Sequence, residues 1–214
     1  MRRIALLTAA LGVLAGVLAG CSSGGGGGQP TTSELNNQPK VGPYQGFGLT
    51  PPLPRPSFTL TDTSGKSYAF STTAGRPTLL YFGYTDCPDI CPTTMADIAQ
   101  AVNEVPAAVR DKTEVVFVTT DVKHDTGPVI AAWLRHFDTA LPNRFVGLTG
   151  SQGQIDVAQA AAHIQLAEDG GQTHAADVLL YGADDYAHVK YLQSDNEADQ
   201  IAHDLPLVAK EGSS

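Results

Sequence analysis

A three-layer α/β domain with a mixed central sheet is the fold this sequence predicts, on three observations. Short apolar runs of strand length alternate with stretches whose apolar residues recur every three to four positions. The alternation starts at Ser57 and continues almost to the end of the chain. It closes with two consecutive strands and a helix, which puts an antiparallel pair beside strands joined by helical crossovers. A length of 214 residues with 42% hydrophobic residues supplies one ordinary core, so one globular domain with appendages is expected.

The first two strands, around Phe58 and Leu60 and around Tyr68 and Phe70, flank Ser64-Gly65 and are expected to form an N-terminal β-hairpin. A buried strand follows at 78–82. The helix after it carries Met95, Ile98, Val102 and Val105 on one face. Residues 115–118 form the most apolar strand. A helix from Pro128 to about Phe137, a strand at 145–148 and a helix beginning near Ser151 extend the pattern. Strands at 178–181 and 188–191 and a helix over 197–208 complete it.

The segment ahead of the domain has a different character. Arg2 and Arg3 precede an apolar run over 4–18, shorter than the ~20 residues a spanning helix needs but right for an export leader. The run ends in Leu18-Ala19-Gly20-Cys21, which resembles the lipobox of bacterial lipoproteins. That resemblance implies that residues 1–20 are removed and that Cys21 is lipidated, anchoring the chain to a membrane with its domain facing away from the cytoplasm. Five glycines over 24–28 and a polar stretch beyond them offer too little apolar surface to fold, so 21–50 reads as the lipidated cysteine plus a flexible tether. Pro51 to Pro56 marks the expected edge of the domain, 51–214. The formal charge of −9 repels phosphate backbones, so no nucleic-acid partner is expected.

The chemistry concentrates in Tyr81-Phe82-Gly83-Tyr84-Thr85-Asp86-Cys87-Pro88-Asp89-Ile90-Cys91-Pro92, where a buried strand opens into a helix. Either proline suits the first helical position, since its missing N–H has no partner there anyway. Both cysteines then lie near a helix N-terminus, whose partial positive charge favours thiolate, the form that attacks disulfides and binds soft metals. A structural disulfide across three residues would close a very small loop and constrain little of the unfolded chain. Redox or metal work explains the pair better. The spacing is one residue wider than the Cys-x-x-Cys of thiol exchangers, and it suits two ligands on one ion as well as a disulfide.

The run Gly83-Tyr84-Thr85-Asp86-Cys87-Pro88-Asp89-Ile90-Cys91-Pro92, with the elements around it, resembles the Sco/SenC family over about 51–208. The resemblance implies a thioredoxin-like fold and a copper-binding metallochaperone serving the binuclear copper centre of cytochrome c oxidase, whose copper-bearing subunit or assembly factors would be the partner. It also implies a third ligand, a histidine in the loop before a late strand. His174, just ahead of the strand at 178–181, holds that place. Two thiolates and an imidazole suit Cu(I) in a trigonal site, and Cu(II) with a further donor. His136, His163 and His203 are expected in helices, His188 in a strand and His124 in a loop.

Two departures from the family pattern stand out. Its Asp-Pro-x-Arg-Asp-Thr run reads Asp121-Val122-Lys123-His124-Asp125-Thr126 here, without the proline and the arginine. Asp125-Thr126 serves either the site or simply as a cap for the next helix. The approach to His174 lacks the family's usual Tyr and Val-Asp. An alternative use of Cys87 and Cys91 is as the redox-active pair of a thiol–disulfide oxidoreductase acting on a target outside the cytoplasm. A peroxidase is disfavoured by the scarcity of arginine near Cys87, and a purely structural lipoprotein leaves the cysteine pair unexplained.

Overall fold

The computed structural model describes residues 42–212; the leader, Cys21 and the glycine run lie outside the described residues. The strands are β1 (Phe47–Pro54), β2 (Thr59–Asp62), β3 (Ser67–Ala69), β4 (Thr78–Gly83), β5 (Glu114–Thr119), β6 (Val146–Thr149), β7 (Val178–Tyr181) and β8 (Tyr186–Tyr191). The helices are α1 (Ile90–Glu104), the single-turn α2 (Ala107–Arg110), α3 (Gly127–Asp138), α4 (Gln152–Ala161) and α5 (Glu197–Val208). The strands form one sheet in the order β1-β8-β7-β4-β5-β6-β2-β3.

The sheet is mixed, as the sequence predicts. β4, β5 and β6 run parallel through helical crossovers, and β7 pairs antiparallel with β4. The central strands are buried on both faces, which is why 78–83 reads as a continuous apolar run rather than an alternating one. Leu79 and Tyr81 point to one face and pack with Met95, Ile98, Ile130, Ile201 and Leu205 of α1, α3 and α5. Leu80 and Phe82 point to the other and meet Phe58, Phe70, Ile155 and Ala158, from the hairpin side and α4. These two cores and the sheet between them are the three layers.

The β2–β3 hairpin pairs Leu60 with Tyr68 around a turn in which Asp62 accepts from Ser64 and Lys66. Ser151 caps α4 in a reciprocal capping box with Gln154, as its position before the helix suggests. His163, expected in a helix, instead lies past the end of α4 with φ 57°, a left-handed residue that turns the chain out of the helix.

The domain begins earlier than Pro51. β1 starts at Phe47, pairs with β8 alone among the described residues, and carries Pro51, Pro52 and Pro54. Proline has no N–H for a ladder, so these residues fit only an edge strand and disguise it in the sequence. The chain just ahead is fixed by α5: the Gln45 and Gly46 amides donate to the buried Asp204 carboxylate at 2.8 Å each.

Candidate metal centre

The cysteine loop starts where β4 ends. Gly83 carries no side chain because there is no room for one: a Cβ there would sit 3.0 Å from both Cys91 Sγ and Tyr81 Cε1. α1 begins at Ile90, so Pro88 precedes the helix and Pro92 is its third residue; neither occupies the first position that the sequence suggests. Asp89 provides no side-chain cap. Cys87 takes over part of that task, since the Cys91 amide donates to Cys87 Sγ at 3.3 Å. The loop is tied down by Asp125, which is 2% exposed. Its carboxylate accepts from the Thr85 amide (3.0 Å), the Thr85 hydroxyl and the Thr119 hydroxyl (2.6 Å). Asp125 therefore does not cap α3, whose N-cap Thr126 makes no side-chain cap bond either.

The histidine loop is held to the same strand end. Glu168 and Thr173 exchange backbone bonds in a small hairpin, closed by the Thr173 hydroxyl donating to Asp169. Gly171 sits at its tip with φ 100°, against the backbone of Thr120, where any Cβ would overlap the Thr120 carbonyl. The Thr120 hydroxyl donates to Gly171 O at 2.6 Å, and the Thr120 amide to Gly83 O at 2.7 Å. Two adjacent threonines at the end of β5 thus hold the two halves of the site, Thr119 through Asp125 and Thr120 directly.

This arrangement puts His174 Nε2 3.3 Å from Cys91 Sγ. His174 Nδ1 lies 2.9 Å from Ala175 O. A carbonyl only accepts, so Nδ1 carries the proton and Nε2 presents a lone pair to the sulfur. The ring stands edge-on to Tyr84 (5.6 Å) and Tyr81 (6.3 Å). Burial lowers the His174 pKa against the opposing bond to Ala175, which keeps the imidazole neutral.

The two cysteines differ. Burial opposes ionisation of Cys87, but hydrogen bonds from the Asp89 and Cys91 amides and from the Cys91 and Tyr84 side chains outweigh it and bring its pKa below the ordinary thiol value. Cys91 is fully buried, and burial pushes its pKa up to about 12. The half-exposed Cys87 is the more readily ionised of the two; Cys91 keeps its proton and can donate it to His174 or to Cys87. Both are free cysteines.

Among the described residues no three His, Cys, Asp or Glu side chains already stand close enough together to hold a metal ion. The structure brings Cys91 and His174 into contact and leaves the Cys87 sulfur on the Cys91 amide. As a donor set the residues fit a soft ion: two sulfurs that an ion can take as thiolates, Cys87 the more readily, and one imidazole with its lone pair inward. His136 lies in α3, His188 in β8, His203 in α5 and His124 in the turn after β5, as expected. The last three are engaged by Asp184, Asp204 and Asp121 respectively.

A sequence profile of the SCO1/SenC family matches residues 50–210. The chain belongs to this family. A Stutzerimonas stutzeri protein named for copper binding is 30% identical over 142 residues, which cover 62% of this chain and 68% of that protein. Protein SenC of Rhodobacter capsulatus is 37% identical over 101 residues, covering 47% of this chain and 43% of its own length. The copper-bound structure of Bradyrhizobium japonicum ScoI superimposes with a TM-score of 0.60 at 28% identity, covering 72% of this chain and 98% of that one. The SCO1/SenC frame gives the cysteine run and His174 their common context. The sequence leaves Asp125 between the site and a helix cap and does not single out Thr85, Thr120 or Gly171; the one local signal for the last is Gly170-Gly171, a glycine pair three residues ahead of the histidine.

Proposed function

We propose that this SCO1/SenC protein is a copper carrier working outside the cytoplasm, with Cys87, Cys91 and His174 as the donors and copper as its cargo. Delivery to the binuclear copper centre of cytochrome c oxidase, and attachment to a membrane through a lipid on Cys21, complete the reading. The observation that carries it is the contact between Cys91 Sγ and His174 Nε2, made by residues 83 positions apart in the chain. The fixed Nδ1 proton keeps Nε2 available at neutral pH. Cys87, more exposed and more readily ionised, is the donor an arriving ion meets first and an acceptor's thiol can replace first. Cys91 and His174, deeper, retain the ion while that exchange takes place.

The test is an anaerobic Cu(I) titration of the reduced protein against a competing chelator, with Cys87→Ser and His174→Ala beside the wild type. One tightly bound copper, weakened in each variant by at least the roughly 10–100-fold that loss of even an outer partner costs, supports the reading. Wild-type affinity in His174→Ala removes the histidine from the site and gives the lead to thiol–disulfide exchange by Cys87 and Cys91.

A further inference from the structure

Beneath the cysteine loop are two buried hydroxyls, on Tyr81 and Thr94, that make no well-formed hydrogen bond among the described residues, although the Tyr81 hydroxyl lies within reach of the Cys91 sulfur and of Thr94. Tyr81 Oη and Thr94 Oγ1 belong to residues with no exposure at all, and among the described residues neither meets a partner with the geometry of a full hydrogen bond. Leaving a buried hydroxyl without a well-formed bond is costly, so two at one spot call for an explanation. Tyr81 is the residue of β4 that faces α1, and its ring edge and Cys91 Sγ converge on the same point: the empty Cβ position of Gly83, 3.0 Å from each. The ring also lies edge-on to His174, at 6.3 Å between centroids. Thr94 sits on α1 three residues after Cys91, one turn along the same buried face.

We propose that the Tyr81 hydroxyl, backed by Thr94, is a reserved hydrogen-bond donor to the Cys91 sulfur, engaged when that sulfur binds a soft cation as thiolate. The inference rests on Cys91 being a metal ligand. Without an ion, Cys91 is a thiol with His174 Nε2, 3.3 Å away, and Cys87 as partners for its one proton, and its sulfur is only a weak acceptor. Once the sulfur and Nε2 both face an ion, the S–H is gone and the sulfur carries negative charge in a water-free pocket. A phenol O–H is then a strong, charge-assisted partner, and the Thr94 hydroxyl can donate in turn to Tyr81 Oη. The folded, ion-free protein carries the cost of two idle hydroxyls, and the loaded protein recovers it. Tyr81 is thus a positioning residue, and its hydroxyl favours the loaded state over the empty one.

The two states give opposite signs for one substitution. Tyr81→Phe removes the idle hydroxyl while keeping the ring that packs in the core, so the copper-free protein should melt a few degrees higher than wild type. The same variant should bind Cu(I) about tenfold more weakly in the chelator competition. Its Cu(II) form should show the sulfur-to-copper absorption band at longer wavelength, because a hydrogen bond lowers the energy of the sulfur electrons. Thr94→Val should move each quantity in the same direction by less. Affinity and absorption equal to wild type in Tyr81→Phe overturn the proposal, as does a lower melting point accompanying the weaker binding, which marks an ordinary core residue. A wild type that binds copper no better than Cys87→Ser instead overturns the copper reading itself.

Discussion

The cysteine loop and the histidine loop meet at one sulfur but are built by different physics. The cysteine loop is held by a charged acceptor: the buried Asp125 carboxylate receives three donors, two of them from Thr85. The histidine loop is held by shape: Gly171 lies flat on the Thr120 backbone in a conformation that side chains resist. A polar tie weakens gradually when its chemistry is altered, whereas a close approach fails as soon as an atom is added. The two loops should therefore respond differently to substitution, even though both are tied to the end of β5.

The sharpest way to break this comparison is Gly171→Ala. The new Cβ cannot coexist with the Thr120 carbonyl, so the loop must lift and carry His174 from Cys91. Copper affinity in the chelator competition should fall toward that of His174→Ala, by roughly 100-fold, while the alkylation rate of Cys87 stays at the wild-type value. A copper affinity unchanged by Gly171→Ala would show that the histidine loop does not depend on that fit.

Asp125→Asn tests the other loop. The amide keeps one acceptor oxygen and turns an N–H₂ toward groups that themselves donate, so about 1–3 kcal/mol of stability should be lost. For a domain of this size that corresponds to a fall in melting temperature of several degrees. Hydrogen exchange at the Thr85 amide should accelerate, and exchange around 168–173 should not. Equal acceleration in both loops would mean that they are a single cooperative unit rather than two.

The smallest effect expected serves as a control away from both loops. Glu197, at the start of α5, is buried with neither carboxylate oxygen paired among the described residues, and burial together with the nearby Asp97 charge raises its pKa to about 8. The unfolded chain releases this proton near pH 4.5 and the folded chain near 8, so the folded state holds the extra proton between them. Stability from this group is present below that window and declines as pH rises through it. Glu197→Gln should remove the decline and raise the melting temperature at pH 8 by a few degrees, with copper binding unaffected. A flat profile in the wild type would show that the carboxyl is solvated.

Legibility in the sequence follows the same division. The strand, turn and helix around Cys87 and Cys91 lie within about twenty residues, and their apolar period, prolines and cysteine spacing are local signals. α5 is equally plain, with its apolar face repeating over 197–208. His174 stood out only through the family resemblance, because its distance from Cys91 depends on β7 pairing with β4. Asp125 was open to a capping role, as its spacing before α3 allows, and only the fold shows its carboxylate turned toward Thr85. β1 was missed because its prolines argue against a strand, and what places it is β8 and Asp204, more than 130 residues away. Long-range pairing and close backbone approach leave little trace in composition or period.

The proline-bearing edge has a consequence of its own. An open sheet margin normally offers a row of free N–H groups on which a second chain can build. β1 interrupts that row at Pro51, Pro52 and Pro54, and the opposite margin, β3, is only three residues long. Neither side of the sheet is a good template for joining another copy edge to edge. Crowded molecules of this protein are thereby steered away from fibril-like stacking.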